Sequence, residues 1–215
     1  MELIAISLAR IVAFLEIQAF DPRGRTSTPK GLKRISERYS FTKSPQAFEE
    51  FNFEKGVEFF VGKFGEINID KLTLYTDGIA IDTRSSTDDC EAVLADLLGA
   101  VHEEQGIALQ PSRWMHLSNL IFRSEVKLAS MHQALQAIAN RVALAVSKDF
   151  RQDVHFDLNV FWGADVSTLS LKPSPFSIEH RVNVPFAENT YFSAAPLRTT
   201  EHRELLQQFE AALRT

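Results

Sequence analysis

Lys71-Leu72-Thr73-Leu74-Tyr75-Thr76-Asp77-Gly78-Ile79-Ala80-Ile81-Asp82-Thr83 sets large apolar side chains at alternate positions on both sides of an Asp-Gly pair. Period two is the signature of a half-buried strand. Asp77-Gly78 is a pair favoured by two-residue hairpin turns, whose central residues both need positive φ. With that pair as the turn, Leu74 pairs with Ile81, Leu72 with Thr83 and Thr76 with Ile79. One face then collects Leu72, Leu74, Ile79 and Ile81, and the other Thr73, Tyr75, Ala80 and Asp82. A hairpin sorted in this way belongs to an antiparallel sheet with one covered face.

Upstream, residues 2–20 hold Glu2, Arg10, Glu16 and Gln18 at even positions. Leu3, Ala5, Ala9, Ile11, Ala13, Leu15, Ile17 and Ala19 take the odd ones. The pattern predicts a long or bulged strand, or two in succession, with a helix still open for the first half. Asp21-Pro22 stops it, since proline cannot continue a ladder. Gly24, Pro29 and Gly31 make residues 22–31 a loop, and a short helix follows from about Pro29 to Tyr39. Residues 57–64, Val-Glu-Phe-Phe-Val-Gly-Lys-Phe, read as a strand apolar on both faces.

Downstream, Ser86 and Asp89 form a capping box, and Asp88, Asp89 and Glu91 put negative charge on the positive end of the helix dipole. Cys90, Val93, Leu94, Leu97, Leu98 and Val101 make one stripe, and Gly106 closes the helix. Residues 117–128 alternate as a strand. Ser130 and Gln133 cap a second amphipathic helix with Met131, Leu135, Ile138, Val142 and Val146 on one side. Residues 154–162, 166–171 and 176–184 read as further strands, 185–198 as a long loop, and Thr200 opens a last helix carrying Leu205, Leu206, Phe209 and Leu213. Strands in succession punctuated by single helices predict an α+β fold, a mostly antiparallel sheet with about three to four helices packed on one face. No repeat or composition break divides the chain, and 107–115 is the one tolerable place to cut it, so a single α+β domain over 1–215 is expected.

A chain of 215 residues buries roughly 70% of its unfolded surface and needs no staples. Its 45% apolar and 24% charged residues exclude a disordered class. A net charge of −5 argues against a surface that coats nucleic acid. The single cysteine, Cys90, excludes an internal disulfide and a cysteine-rich zinc site, and fits a reducing, cytoplasmic setting. Residues 1–20 carry Glu2, Arg10 and Glu16, lack a basic leader, and hold no apolar run of the ~18 residues a span needs. They read as core, and no membrane contact, cofactor or resident metal is expected.

Three constellations could carry chemistry. His155, Asp157 and Asn159 share a strand face, spaced about 6.6 Å apart, and His180 comes near if 176–184 pairs beside them. With Asp82, this His/Asp set is the candidate for a metal-assisted hydrolase; the alternative is the wet side of an amphipathic strand. Arg23, Arg25, Lys30, Lys33, Arg34 and Arg38 fall within sixteen residues opposed only by Glu37, a cluster able to clamp phosphate or nucleic acid. Ser85-Ser86-Thr87-Asp88-Asp89 after Asp82 mimics a cation site with oxygen-only ligands, but helix capping accounts for Ser86, Asp88 and Asp89. His102-Glu103-Glu104-Gln105 lacks the second histidine of a zinc protease, and neither a phosphate loop nor a nucleophile elbow occurs. Cys90 lies on an apolar stripe and reads as core, and Ser193 has no partner identifiable in sequence.

Phenylalanine is in surplus at seventeen copies, and Phe48, Phe51, Phe53, Phe59, Phe60 and Phe64 crowd one segment. A strand apolar on both faces needs two covers, from the same chain or from another subunit. The functional expectation is therefore a non-enzymatic interaction module, either a homo-oligomer or a subunit of a larger assembly. Phe51, Phe53, Phe59, Phe60 and Phe64 are its candidate interface.

Overall fold

The computed structural model describes residues 1–15, 28–46, 50–106, 108–131, 133–169 and 171–214. Its strands are β1 (Glu2–Phe14), β2 (Val57–Phe64), β3 (Ile67–Tyr75), β4 (Gly78–Thr83), β5 (Arg113–Arg123), β6 (Val160–Trp162), β7 (Phe176–His180) and β8 (Thr190–Ala195). Its helices are α1 (Thr28–Arg38), α2 (Thr87–Gln105), α3 (Gln133–Phe150) and α4 (Thr199–Ala212). The strands form one sheet in the order β2-β3-β4-β1-β5-β8-β7-β6. This is the α+β fold with a mostly antiparallel sheet. The chain makes two compact units, Ile6–Ser118 with Pro196–Thr199, and Met1–Ala5 with Asn119–Ala195 and Thr200–Thr215. Their boundaries fall inside β1 and β5 and at the two ends of the segment Pro196–Thr199.

In the first unit, alternation along β1 buries Ala9, Ile11 and Ala13, and Leu15 just past its end is buried too, as the odd-position pattern requires. β3 and β4 form the hairpin with the expected faces: Leu72, Leu74, Ile79 and Ile81 are all at most 3% exposed. Its register differs. Leu74 pairs with Ile79, Leu72 with Ile81 and Tyr75 with Gly78, so Thr76 and Asp77 are the turn. Neither has positive φ. The slip moves each partner by two residues, which preserves side-chain parity, so polarity alone could not detect it.

β2 corrects the expectation of a strand apolar on both sides. Val61 adopts φ 52°, and the β3–β4 register shifts between Ile69 and Lys71 beside it. This kink resets which side chains point inward. Val57 and Phe59 before it are fully buried, and Gly62 and Phe64 after it face the same core. α1 and α2 cover that core. Ser86 Oγ accepts from Asp89 N–H at 3.0 Å, and Gly106, at φ 71°, closes α2 by donating to His102 O. The cap at each end is where the residue pattern put it. The Tyr39 hydroxyl donates to Asp96 at 2.7 Å and Arg38 grips the same carboxylate with two bonds, tying α1 to α2. Arg38 and the Tyr39 hydroxyl together hold the Asp96 carboxyl below its usual range.

In the second unit, α4 packs on the sheet: His202 meets Phe176 of β7 and Ser193 of β8, Phe209 meets Trp162 of β6, and Leu206 is fully buried. Glu210 accepts from Ser124 Oγ at 2.7 Å and Glu125 N–H at 2.9 Å, and pairs with the Met1 ammonium. Three expectations fail here. Of 154–162 only Val160–Trp162 is strand, and 166–169 makes none. The presumed loop 185–198 contains β8, a hairpin partner of β7 with Ser177 opposite Ala194 and His180 opposite Tyr191. Pro185 and Pro196 bracket that strand and disguised it as a loop.

Candidate functional site

The basic segment lies on α1 as far as it is described; Arg23 and Arg25 fall outside the described residues. Lys33 faces Glu37 at 3.7 Å, Arg34 bonds Glu104 at 2.5 Å and Arg38 holds Asp96 at 2.6 Å, while Lys30 is exposed. Three of the four described cations therefore already have carboxylate partners, and a phosphate would have to displace them.

The His/Asp set separates. Asp82 accepts two bonds from Arg10, at 2.6 and 2.7 Å, on the face of the first unit's sheet away from its core. In the second unit His155 is exposed, whereas His180 Nε2 donates to Asp157 Oδ2 at 2.8 Å and His180 N–H to Asn159 Oδ1 at 3.3 Å. The approach of His180 to Asp157 is thus present, although 154–159 is not strand. An aspartate orienting a histidine is half of a general-base arrangement. Here the ring is packed against Phe186 at 4.2 Å and Tyr191 at 4.6 Å, with its side chain 8% exposed, so a substrate has little access. Among the described residues no group of three or more His, Cys, Asp or Glu side chains converges as metal ligands would.

The Ser85–Asp89 run performs capping. Thr87 and Thr199, first residues of α2 and α4, cap one another: each backbone N–H donates to the other's hydroxyl, at 3.1 and 3.0 Å. Arg198 binds Glu91 at 2.7 Å and Asp88 at 3.4 Å, and Glu91 also holds His116, on which Trp114 stacks. Cys90 donates to Ala9 O, and burial pushes its thiol up to about 12 while the Thr83 hydroxyl pulls the other way. It is a core residue.

Ser193 has a partner that sequence could not supply: His202 of α4 lies 2.8 Å from its Oγ. The pair does not make a nucleophile. Ser193 Oγ spends its one hydrogen on Ser177 O at 2.7 Å, so His202 Nε2 must be the donor to Oγ, opposite to the polarity a general base needs. Both residues are fully buried.

The phenylalanine cluster is mostly internal. Phe59 is fully buried, and Phe51, Phe53 and Phe64 pack against the same core; Phe48 falls outside the described residues. The first cover that β2 needs comes from its own chain. Among the described residues its outer face carries no second layer: Phe60 is half-buried with the Lys43 and Lys71 ammonium groups 5.1 and 5.4 Å from its ring, and Val61 is exposed.

Apolar exposure concentrates in the second unit instead. The stripe of α3 is open: Leu135 is 42%, Ile138 60% and Val142 41% exposed, with Met131 beside them and Val146 half-buried. Edge strand β6 shows Phe161 and Trp162, and Phe150, Phe156, Leu169 and Val182 add to the exposed set. The chain matches no protein-family model, and no curated protein matches it. No helix among the described residues is long and apolar enough to cross a membrane.

Proposed function

We propose that this protein is a non-enzymatic interaction module whose contact surface is the apolar face of α3, not the phenylalanines around β2. The single observation that supports the reading is the open stripe of Leu135, Ile138 and Val142 on an 18-residue helix. A surface helix acquires such a stripe because something covers it, and exposed apolar patches on folded proteins mark contacts with other molecules. Edge strand β6, with Phe161 exposed and Trp162 half-exposed, adds apolar surface in the same unit. The competing chemistry has less support: His180 is closed in by the rings of Phe186 and Tyr191, and the α1 arginines are occupied by carboxylates.

The test is to place charge in the stripe. Ile138→Glu and Val142→Glu should leave the unfolding free energy of the isolated chain within about 0.5 kcal/mol of wild type, as for exposed sites. Each should also reduce the native chain's binding of an apolar fluorescent dye. A loss above about 2 kcal/mol would mean that the stripe belongs to the chain's own core, and the reading would fail.

A further inference from the structure

We infer that the occupant of the α3 face is an acidic amphipathic helix of a partner protein, an inference that rests on the interaction-module reading. Leu135, Ile138, Val142 and Val146 follow the three-and-four spacing by which one helix receives another. Arg141 and Lys148, seven residues apart, border the stripe on the side of Ile138. Both are exposed, and among the described residues neither has an ion pair. This contrasts with α1, where Lys33, Arg34 and Arg38 all have carboxylate partners. The opposite border carries Gln136, Ala143 and Ser147, without charge. That border is also partly occupied by the chain itself, since Ser147 Oγ accepts from Val154 N–H at 2.8 Å. The open side of the stripe is therefore the basic side.

A second copy satisfies this surface less well. In an antiparallel pair of identical helices each border meets its own copy, setting Arg141 and Lys148 against like charges. In a parallel pair Asp149, seven residues after Val142 and in line with the stripe, faces its own copy. A helix with Asp or Glu at seven-residue spacing beside its apolar anchors avoids both penalties and pairs with Arg141 and Lys148 at the rim, where such charges choose partner and orientation.

The experiment is isothermal titration of the intact chain with three synthetic amphipathic helical peptides. They share one leucine stripe and carry Glu, Gln or Lys in the flanking row. The Glu peptide should bind at least ~10-fold more tightly than the Lys peptide, with the difference shrinking as salt is added. The Arg141→Glu, Lys148→Glu double variant should reverse the order. Ile138→Glu should abolish binding of all three with its thermal unfolding unchanged. Equal binding of the three peptides overturns the acidic partner but leaves the interaction module standing. A dimer mass in light scattering that Ile138→Glu dissociates overturns it in favour of a second copy. Sedimentation with phosphatidylserine vesicles, with no peptide bound, overturns it in favour of a membrane surface. If no peptide binds, no vesicle sediments the chain and the chain stays monomeric, the module reading falls with it.

Discussion

Gly78 shows how a single position can be read correctly for the wrong reason. A glycine after aspartate suggests a turn that demands positive φ, yet Gly78 is a strand residue and its φ is not positive. What requires glycine is proximity: a Cβ there would sit 2.8 Å from the backbone oxygen of Ala13 on β1. Backbone cannot yield as a side-chain tip does. Gly78→Ala should therefore cost about 1–3 kcal/mol in denaturant unfolding, and a neutral outcome would contradict the close approach. Asp96 makes a second residue-scale case. Arg38 and Tyr39 hold its folded carboxyl below the ordinary range, so between that lower value and ~4 the unfolded chain binds the extra proton. Its contribution to stability is complete above ~4 and is lost as pH falls through the folded value. Asp96→Asn should flatten the acid side of the stability–pH curve relative to wild type, as measured by denaturant midpoints across that window.

At the scale of elements, α2 and α3 are amphipathic helices of similar length with opposite fates. α2 buries Cys90, Val93, Leu94 and Leu97 and is closed at both ends by its own sequence neighbours. α3 leaves its corresponding stripe in water. Helices draw most of their stability from packing and little from propensity, so the two should open at different free energies. Native-state hydrogen exchange should show the central amides of α3 exchanging at least ~10-fold faster than those of α2. Equal protection would mean that α3 is packed. The same contrast separates what was legible from what was not. Ser86 and Asp89 are three residues apart, so the start of α2 could be read locally. The amphipathic character of α3 was equally plain, but its exposure depends on whether any other element reaches it. β8 escaped notice because a six-residue strand between prolines has no distinguishing period, and only its pairing with β7 identifies it.

For the whole molecule, Cys90 offers a direct reporter of the first unit's integrity. Its side chain is fully buried and burial raises the thiol to about 12, so almost no thiolate exists at neutral pH. A disulfide reagent should leave the native chain unlabelled and take up one equivalent on unfolding; rapid native labelling would place Cys90 outside the core. The sequence alone determined the α+β class, the face each hairpin residue occupies, the parity of β1 and both caps of α2. Each of these follows from alternation or from neighbours a few positions apart, where stereochemistry leaves few choices. Tertiary structure alone decided that Phe51, Phe53, Phe59 and Phe64 share one core, that Ser193 meets His202, that the α1 arginines have carboxylate partners and that α3 faces solvent. Burial and pairing are properties of segments brought together across the chain, and a local pattern records that a residue is apolar or charged without recording what will lie against it.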